Sequence, residues 1–197
     1  MSDDGTVTRY VGIDPSLTRT GVAILETGLV TPISITSSNK TRPDVRLFRI
    51  VSEVSKYLKH GDVVVFEDFG FGGRFNRNSG KLIERLELLG MLKLRAMQIT
   101  HLPILTALPS WIKKFLIARG SRVSKDDIVK EVRERWCISV ANDDEADASG
   151  LALLACAALG GPLPVETCLR KPQSKAVQDF LEINKFAIAR MHVLRTK

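Results

Sequence analysis

The sequence predicts an α/β fold, a mixed central sheet whose hairpin strands come first and whose faces are flanked by helices. Three observations carry this. Two apolar stretches near the N-terminus, residues 10–13 and 21–25, are separated by a turn sequence. The run Val63, Val64, Val65, Phe66 has no polar alternation, as expected of a strand buried on both faces. The rest of the chain carries apolar residues mostly at helical spacing.

The elements are read in chain order. In YVGIDPSLTRTGVAIL, residues 10–25, the first strand stops at Asp14-Pro15, a turn-initiating pair, and resumes after Thr18 and Thr20 with Gly21-Val22-Ala23-Ile24-Leu25. This is a β-hairpin with one carboxylate at its inner lip. A third strand, 30–36, comes after the Thr27-Gly28 turn. The polar loop SSNKTRPD leads into a helix with apolar residues at Val45, Phe48, Val51, Val54 and Leu58, ended by Gly61-Asp62. After the buried strand, the loop FGFGGRFNRNSG opens a long helix over 81–99. A short strand is expected within 101–107, broken by Pro103, and helices over 110–118, 125–135 and 144–159. Composition shifts at GGPLP. The expected organisation is therefore a core domain over 1–162 and a basic helical C-terminal extension over 163–197.

A chain of 197 residues can bury a core of its own, and 44% hydrophobic with 26% charged residues is ordinary for a soluble domain. Twenty-nine Lys and Arg against 22 Asp and Glu give +7, which points to a polyanionic partner, nucleic acid before membrane. MSDDGTVTRY has no apolar signal region, and the most apolar run, 151–159, is far short of the ~20 residues that span a bilayer. Three cysteines without zinc-ligand spacing fit a reducing cytoplasm and read as small incidental apolar residues. The three histidines are scattered, so catalysis has to rest on carboxylates.

Those carboxylates stand at element ends. Asp14 by itself is as readily a turn cap as a ligand. Glu67, directly after the buried strand, lies where α/β sheets present groups to ligands. In ANDDEADASGLALLACAAL, Asp144 and Asp147 are three apart at a helix start and share a face. One or two acids would serve the helix dipole, but Asp143, Asp144, Glu145 and Asp147 exceed that role, and their crowding is costly unless cations compensate. Oxygen-only donors suit Mg²⁺. Two such ions about 4 Å apart activate water and stabilise the leaving oxygen of a phosphodiester without any histidine.

GIDPSLTRTGVAI, VVVFED and DEADASGLALLA, in this order, resemble the RuvC family of Holliday-junction resolvases over roughly residues 8–160. The resemblance implies a ribonuclease H-like fold, a homodimer, and an Mg²⁺-dependent crossover junction endonuclease in which Mn²⁺ can substitute. It implies that Asp14, Glu67, Asp144 and Asp147 are catalytic metal ligands. PSWIKKFLIARGSRVSKDDIVKEV resembles the family's DNA-contacting stretch, with Lys113 and Lys125 at its lysine positions and Lys125 near the scissile phosphate. Ser16 stands where the family has glycine, the loop before Lys125 is one residue longer than in the bacterial enzymes, and Ser149-Gly150 dilutes the last helix. Taken with the resemblance, these departures imply a divergent relative of the family, of phage type, with the metal ligands intact.

Phe69, Phe71 and Phe75 with Arg74 and Arg77 come close behind Glu67. Aromatics on such a loop stack on unpaired bases while arginines hold phosphates; the family resemblance implies that a phenylalanine here, Phe71 or Phe69, probes the crossover, and with Phe69 packed inward Phe71 and Phe75 are the expected exposed pair. Lys113, Lys114, Arg119, Arg122 and Lys125 are expected phosphate contacts. In KLIERLELLGMLKLRAMQI the apolar residues cover more than the stripe one core contact needs, which points to a second face for a twofold partner. In the tail, Val177, Phe180, Leu181, Ile188 and Met191 share a helical face, and the lysines and arginines elsewhere read as a solvated surface or as extra DNA contact. Rival readings are a ribonuclease H-like nuclease acting on flaps or RNA–DNA hybrids, and a non-catalytic junction-binding protein. The opening hairpin also resembles that of actin-like ATPases, but the chain lacks a second such hairpin, so no nucleotide cofactor is expected.

Overall fold

The computed structural model describes residues 8–68, 79–118, 124–165 and 168–195. Its five strands, β1 (Tyr10–Asp14), β2 (Arg19–Glu26), β3 (Leu29–Thr36), β4 (Val63–Glu67) and β5 (Leu105–Ala107), form one sheet in the order β3-β2-β1-β4-β5. β1, β2 and β3 are antiparallel neighbours, whereas β4 runs parallel to both β1 and β5. The sheet is mixed, hairpins first, as the sequence indicates. Thr27 and Gly28, at φ 50° and 79°, form the two-residue turn between β2 and β3. Positive φ at both central residues is the geometry whose twist matches a tight hairpin.

Helices cover both faces. On one lie α1 (Pro43–Ser55) and α2 (Ser79–Thr100); on the other lie α3 (Pro109–Ile117), α4 (Lys125–Glu134), α5 (Asp143–Ala158) and α6 (Lys171–Arg195). Successive side chains of a strand point to opposite faces. Val11, Ile13, Val64 and Phe66 enter the core under α1 and α2, while Tyr10, Val63 and Val65 enter the core under α3 to α6. Both sides of β4 are therefore apolar, which is why VVVF shows no alternation. Among the described residues no helix is long and apolar enough to cross a membrane.

Three local expectations are revised. α1 buries Leu47, Ile50 and Val54 and leaves Phe48 exposed, because the face that meets the sheet is rotated from the Val45 and Phe48 positions. The strand within 101–107 shrinks to Leu105–Ala107, and His101, at φ 58°, lies in the turn that leaves α2. Gly150 does not weaken α5: a Cβ there would lie 2.7 Å from the Ile112 side chain, so the glycine lets α3 and α5 pack in close contact.

α6 inserts Ala176, Phe180 and Met191 into the same core as α5. Its Asn184 donates to the Thr106 carbonyl (2.9 Å) and accepts from the Thr106 amide (3.0 Å). One side-chain amide thereby satisfies both backbone groups of a residue on β5, the terminal strand of the sheet order.

Candidate functional site

Asp14 is the last residue of β1, and Glu67 the last residue of the neighbouring β4. The start of α5 arrives beside them because the helix lies directly on strand backbone. A Cβ on Gly12 would collide with the Ala148 carbonyl, and one on Gly21 with the Asp144 carbonyl. Gly21 pairs with Asp14 across the hairpin, so this near approach sets the first acid and the α5 acids into one place.

The four acids do not cap the helix. Asn142 does, its side chain accepting from the Glu145 amide at 3.1 Å. The Glu145 carboxylate turns inward, taking bonds from Ser34 Oγ and the Ala141 amide at 2.6 Å each, and ties α5 to β3. Asp143, Asp144 and Asp147 face a shared cleft of about 820 Å³, with Asp14 and Glu67. Arg19, Arg85, Lys113 and Lys125 line the same cleft. Arg19 hydrogen-bonds Asp144 through Nε and Asp143 through Nη2, and Lys125 Nζ takes the other oxygen of Asp143. These are the compensating cations that the crowded acids require.

Burial, and then the adjoining Glu67, hold Asp14 far above the usual carboxylate range, and Asp14 hydrogen-bonds Glu67 as the acid of the pair. Burial also raises Glu67, opposed by the charges of Lys113, Arg85 and Lys125. Asp147 is pushed up to about 7, by burial and then by Glu67. Asp143 moves the other way, lowered by its bond from Lys125.

Among the described residues no group of three His, Cys, Asp or Glu side chains stands in metal-ligand geometry; Asp143 and Asp144 are turned to Lys125 and Arg19 instead. The donor chemistry nevertheless fits a hard divalent cation. Every acid offers only oxygen, and Asp14, Glu67 and Asp147 are raised first by burial, with neighbouring acids adding to the shift at Asp14 and Asp147. Asp14, Glu67, Asp144 and Asp147 are the residues that could hold such an ion.

Of the expected DNA contacts, Lys113 and Lys125 line the cleft, whereas Lys114 is exposed and lies outside its lining. Phe69, Phe71, Arg74, Phe75, Arg77, Arg119 and Arg122 lie outside the described residues. Sequence reasoning missed Arg19 and Arg85. Arg19 could have been found as a cation at the head of an apolar strand whose Gly21 faces Asp14. Arg85 carries no local signal, since it is one of several charges on α2.

Sheet order and site together define a class: a ribonuclease H-like α/β domain with acids at the carboxyl ends of two adjacent parallel strands and at the start of the helix that crosses them. Among solved structures the chain is similar to Thermus thermophilus RuvC in complex with Holliday junction substrate, at TM-score 0.62 and 20% identity, over 80% of this chain and 99% of that one. It is likewise similar to a second Thermus thermophilus RuvC structure, at TM-score 0.59 and 20% identity, over 80% and 100%. No family model matches the chain, and no curated protein matches it. At this identity the likeness is one of fold.

Proposed function

We propose that this chain is a divalent-metal-dependent endonuclease that resolves four-way DNA junctions by paired hydrolysis as a homodimer. The observation that carries the reading is the meeting of Asp14, Glu67, Asp144 and Asp147 in one cleft, on the fold of a protein whose solved complex contains a Holliday junction. A charge of +7 and a cleft edged by Lys113, Lys125 and Arg85 support a DNA partner. The free cysteines Cys137, Cys156 and Cys168 fit a cytoplasmic setting.

Asp14, Glu67, Asp144 and Asp147 would hold Mg²⁺, with Mn²⁺ as a substitute, and the cation would supply an activated water and charge neutralisation at the leaving oxygen. The chain's own residues do the rest. The acids bind a cation in their deprotonated forms, which burial disfavours at Asp14 and Asp147 in the cation-free site. Lys113 and Lys125 hold the phosphate at the cleft, and Lys125 in addition offsets charge that develops on it. Lys114, Arg119, Arg122, Arg74 and Arg77 are assigned to backbone phosphates, and Phe71 and Phe75 to the open crossover.

The twofold partner is assigned to α2. Leu88, Leu89, Leu92 and Ala96 are buried, while Ile83, Leu86, Leu94 and Met97 are exposed along a second face, with Gly90 open between them. A twofold axis there would give two sites for two opposed strands.

Cleavage of four-way, three-way, flap, duplex and RNA–DNA hybrid substrates, with Mg²⁺ and with EDTA, tests the reading. Four-way junctions should be cut, in Mg²⁺ alone. Asp14→Asn and Glu67→Gln should abolish cutting while junction binding survives, because a neutral amide is a poor ligand yet repels phosphate less. Preferred cutting of the hybrid supports a ribonuclease instead. Tight junction binding with no cutting in any metal supports a purely structural binder.

A further inference from the structure

Arg19 occupies an unusual place. Its backbone begins β2, opposite Thr36, and its side chain crosses to the first turn of α5. The guanidinium is 40% exposed at the rim of the cleft and bridges Asp143, at 2.8 Å, and Asp144. Asp143 is fully engaged, since its other oxygen takes Lys125. Of the four proposed ligands, Asp144 takes a direct hydrogen bond from Arg19, while Lys113, Arg85 and Lys125 act on Glu67 through their charge.

The balance of charge sets a limit on how the site can fill. Five acids line the cleft (Asp14, Glu67, Asp143, Asp144, Asp147) against four cations (Arg19, Arg85, Lys113, Lys125), so the cleft is close to neutral already when all are charged. A divalent ion would reverse that one-charge difference, and it would compete most directly with a cation already bonded to a ligand oxygen. Arg19 is the one that competes for a ligand oxygen directly. Its side chain is 40% exposed, and a partly exposed ion pair is weak enough to be displaced.

We propose that Arg19 is a positioning latch on the metal site: it holds Asp144 against Asp143 until a divalent cation takes the Asp144 carboxylate from it. The proposal rests on the metal-dependent reading above. Arg19 thereby sets the cation concentration at which the site fills, and keeps the α5 acids in register until it does.

The test is Mn²⁺ binding to the full chain without DNA, with free Mn²⁺ read by electron paramagnetic resonance, so no turnover is involved. Arg19→Gln should bind Mn²⁺ about fivefold more tightly than the unsubstituted chain, the size expected of losing one partly exposed ion-pair competitor. Arg19→Lys, with a charge but no fork, should fall between. Damage to the fold would weaken binding, so tightening has no structural explanation. In an Asp144→Asn background the gain from Arg19→Gln should largely vanish; an undiminished gain there means bulk charge alone, and overturns the latch. Unchanged or weaker binding in Arg19→Gln also overturns it, while leaving the metal site itself intact. If the unsubstituted chain binds no Mn²⁺, the metal reading fails and the latch fails with it.

Discussion

Asp147 and Asp14 give the site a pH signature of its own. Both carboxyls titrate far above their ordinary 3.8, Asp147 at about 7, because the fold buries them beside Glu67. Between those limits the folded chain binds more protons than the unfolded chain, so stability must fall as pH rises. Melting in EDTA should show the midpoint declining from about pH 4 through 7 and beyond, since Asp14 titrates higher still. Asp147→Asn should remove the part of the decline below about pH 7. Added Mg²⁺ at alkaline pH should raise the midpoint again, because the ion binds the deprotonated acids of the folded form only. A flat profile in EDTA would contradict the burial of these carboxyls. The acids themselves were legible in the sequence as charged residues closing apolar runs. Their raised titration was not, because it depends on β1 and β4 lying side by side although two strands and a helix separate Asp14 from Glu67 along the chain.

At the scale of elements, α5 decides the geometry, since it carries Asp144 and Asp147 and lies on bare strand backbone. Gly21→Ala should force the helix off β2, because the added methyl meets the Asp144 carbonyl, a backbone atom that cannot rotate away. Overpacking of this kind costs about 1–3 kcal/mol, readable by thermal or urea unfolding. Junction cleavage should fall by more than the stability loss accounts for, since the shift displaces a proposed ligand. A variant as stable and as active as the parent would show that α5 is held by its other contacts. Gly12 and Gly21 are visible in the sequence inside apolar strands, but what presses on them is not. α1 is a similar case. Its periodicity is visible, yet Leu47 and Ile50 rather than Val45 and Phe48 meet the sheet, and only the packed layer fixes that rotation.

At the scale of the molecule, the exposed apolar face of α2 is a feature that an isolated chain leaves without a physical reason. Leu94 and Met97 are 60% and 49% exposed, in line with Ile83 and Leu86. Light scattering should give twice the chain mass at micromolar concentration, and Leu94→Asp should halve it. Because Leu94 is outside the core of the single chain, the variant should keep most of its melting temperature and lose paired nicking in favour of slow single cuts. An unsubstituted chain that scatters as a monomer, with cleavage indifferent to dilution, would remove the twofold assignment. The extra apolar arc of this helix was countable in the sequence.

The sequence by itself determined the order of strands and helices, the opening hairpin, the doubly buried β4, the basic balance of charge, and the four acids with their chain positions. These rest on local rules: side-chain period, turn chemistry and composition. The tertiary structure alone decided which charges meet. It brings Arg19 to Asp144 across 125 positions and keeps Lys125 in the cleft while Lys114, far nearer to Lys113 in sequence, points elsewhere. It also folds the basic tail back so that Asn184 closes a residue of β5. Such pairings have no period and no spacing, because they are set by how glycine-bared strands and a close-packed helix fit together in space.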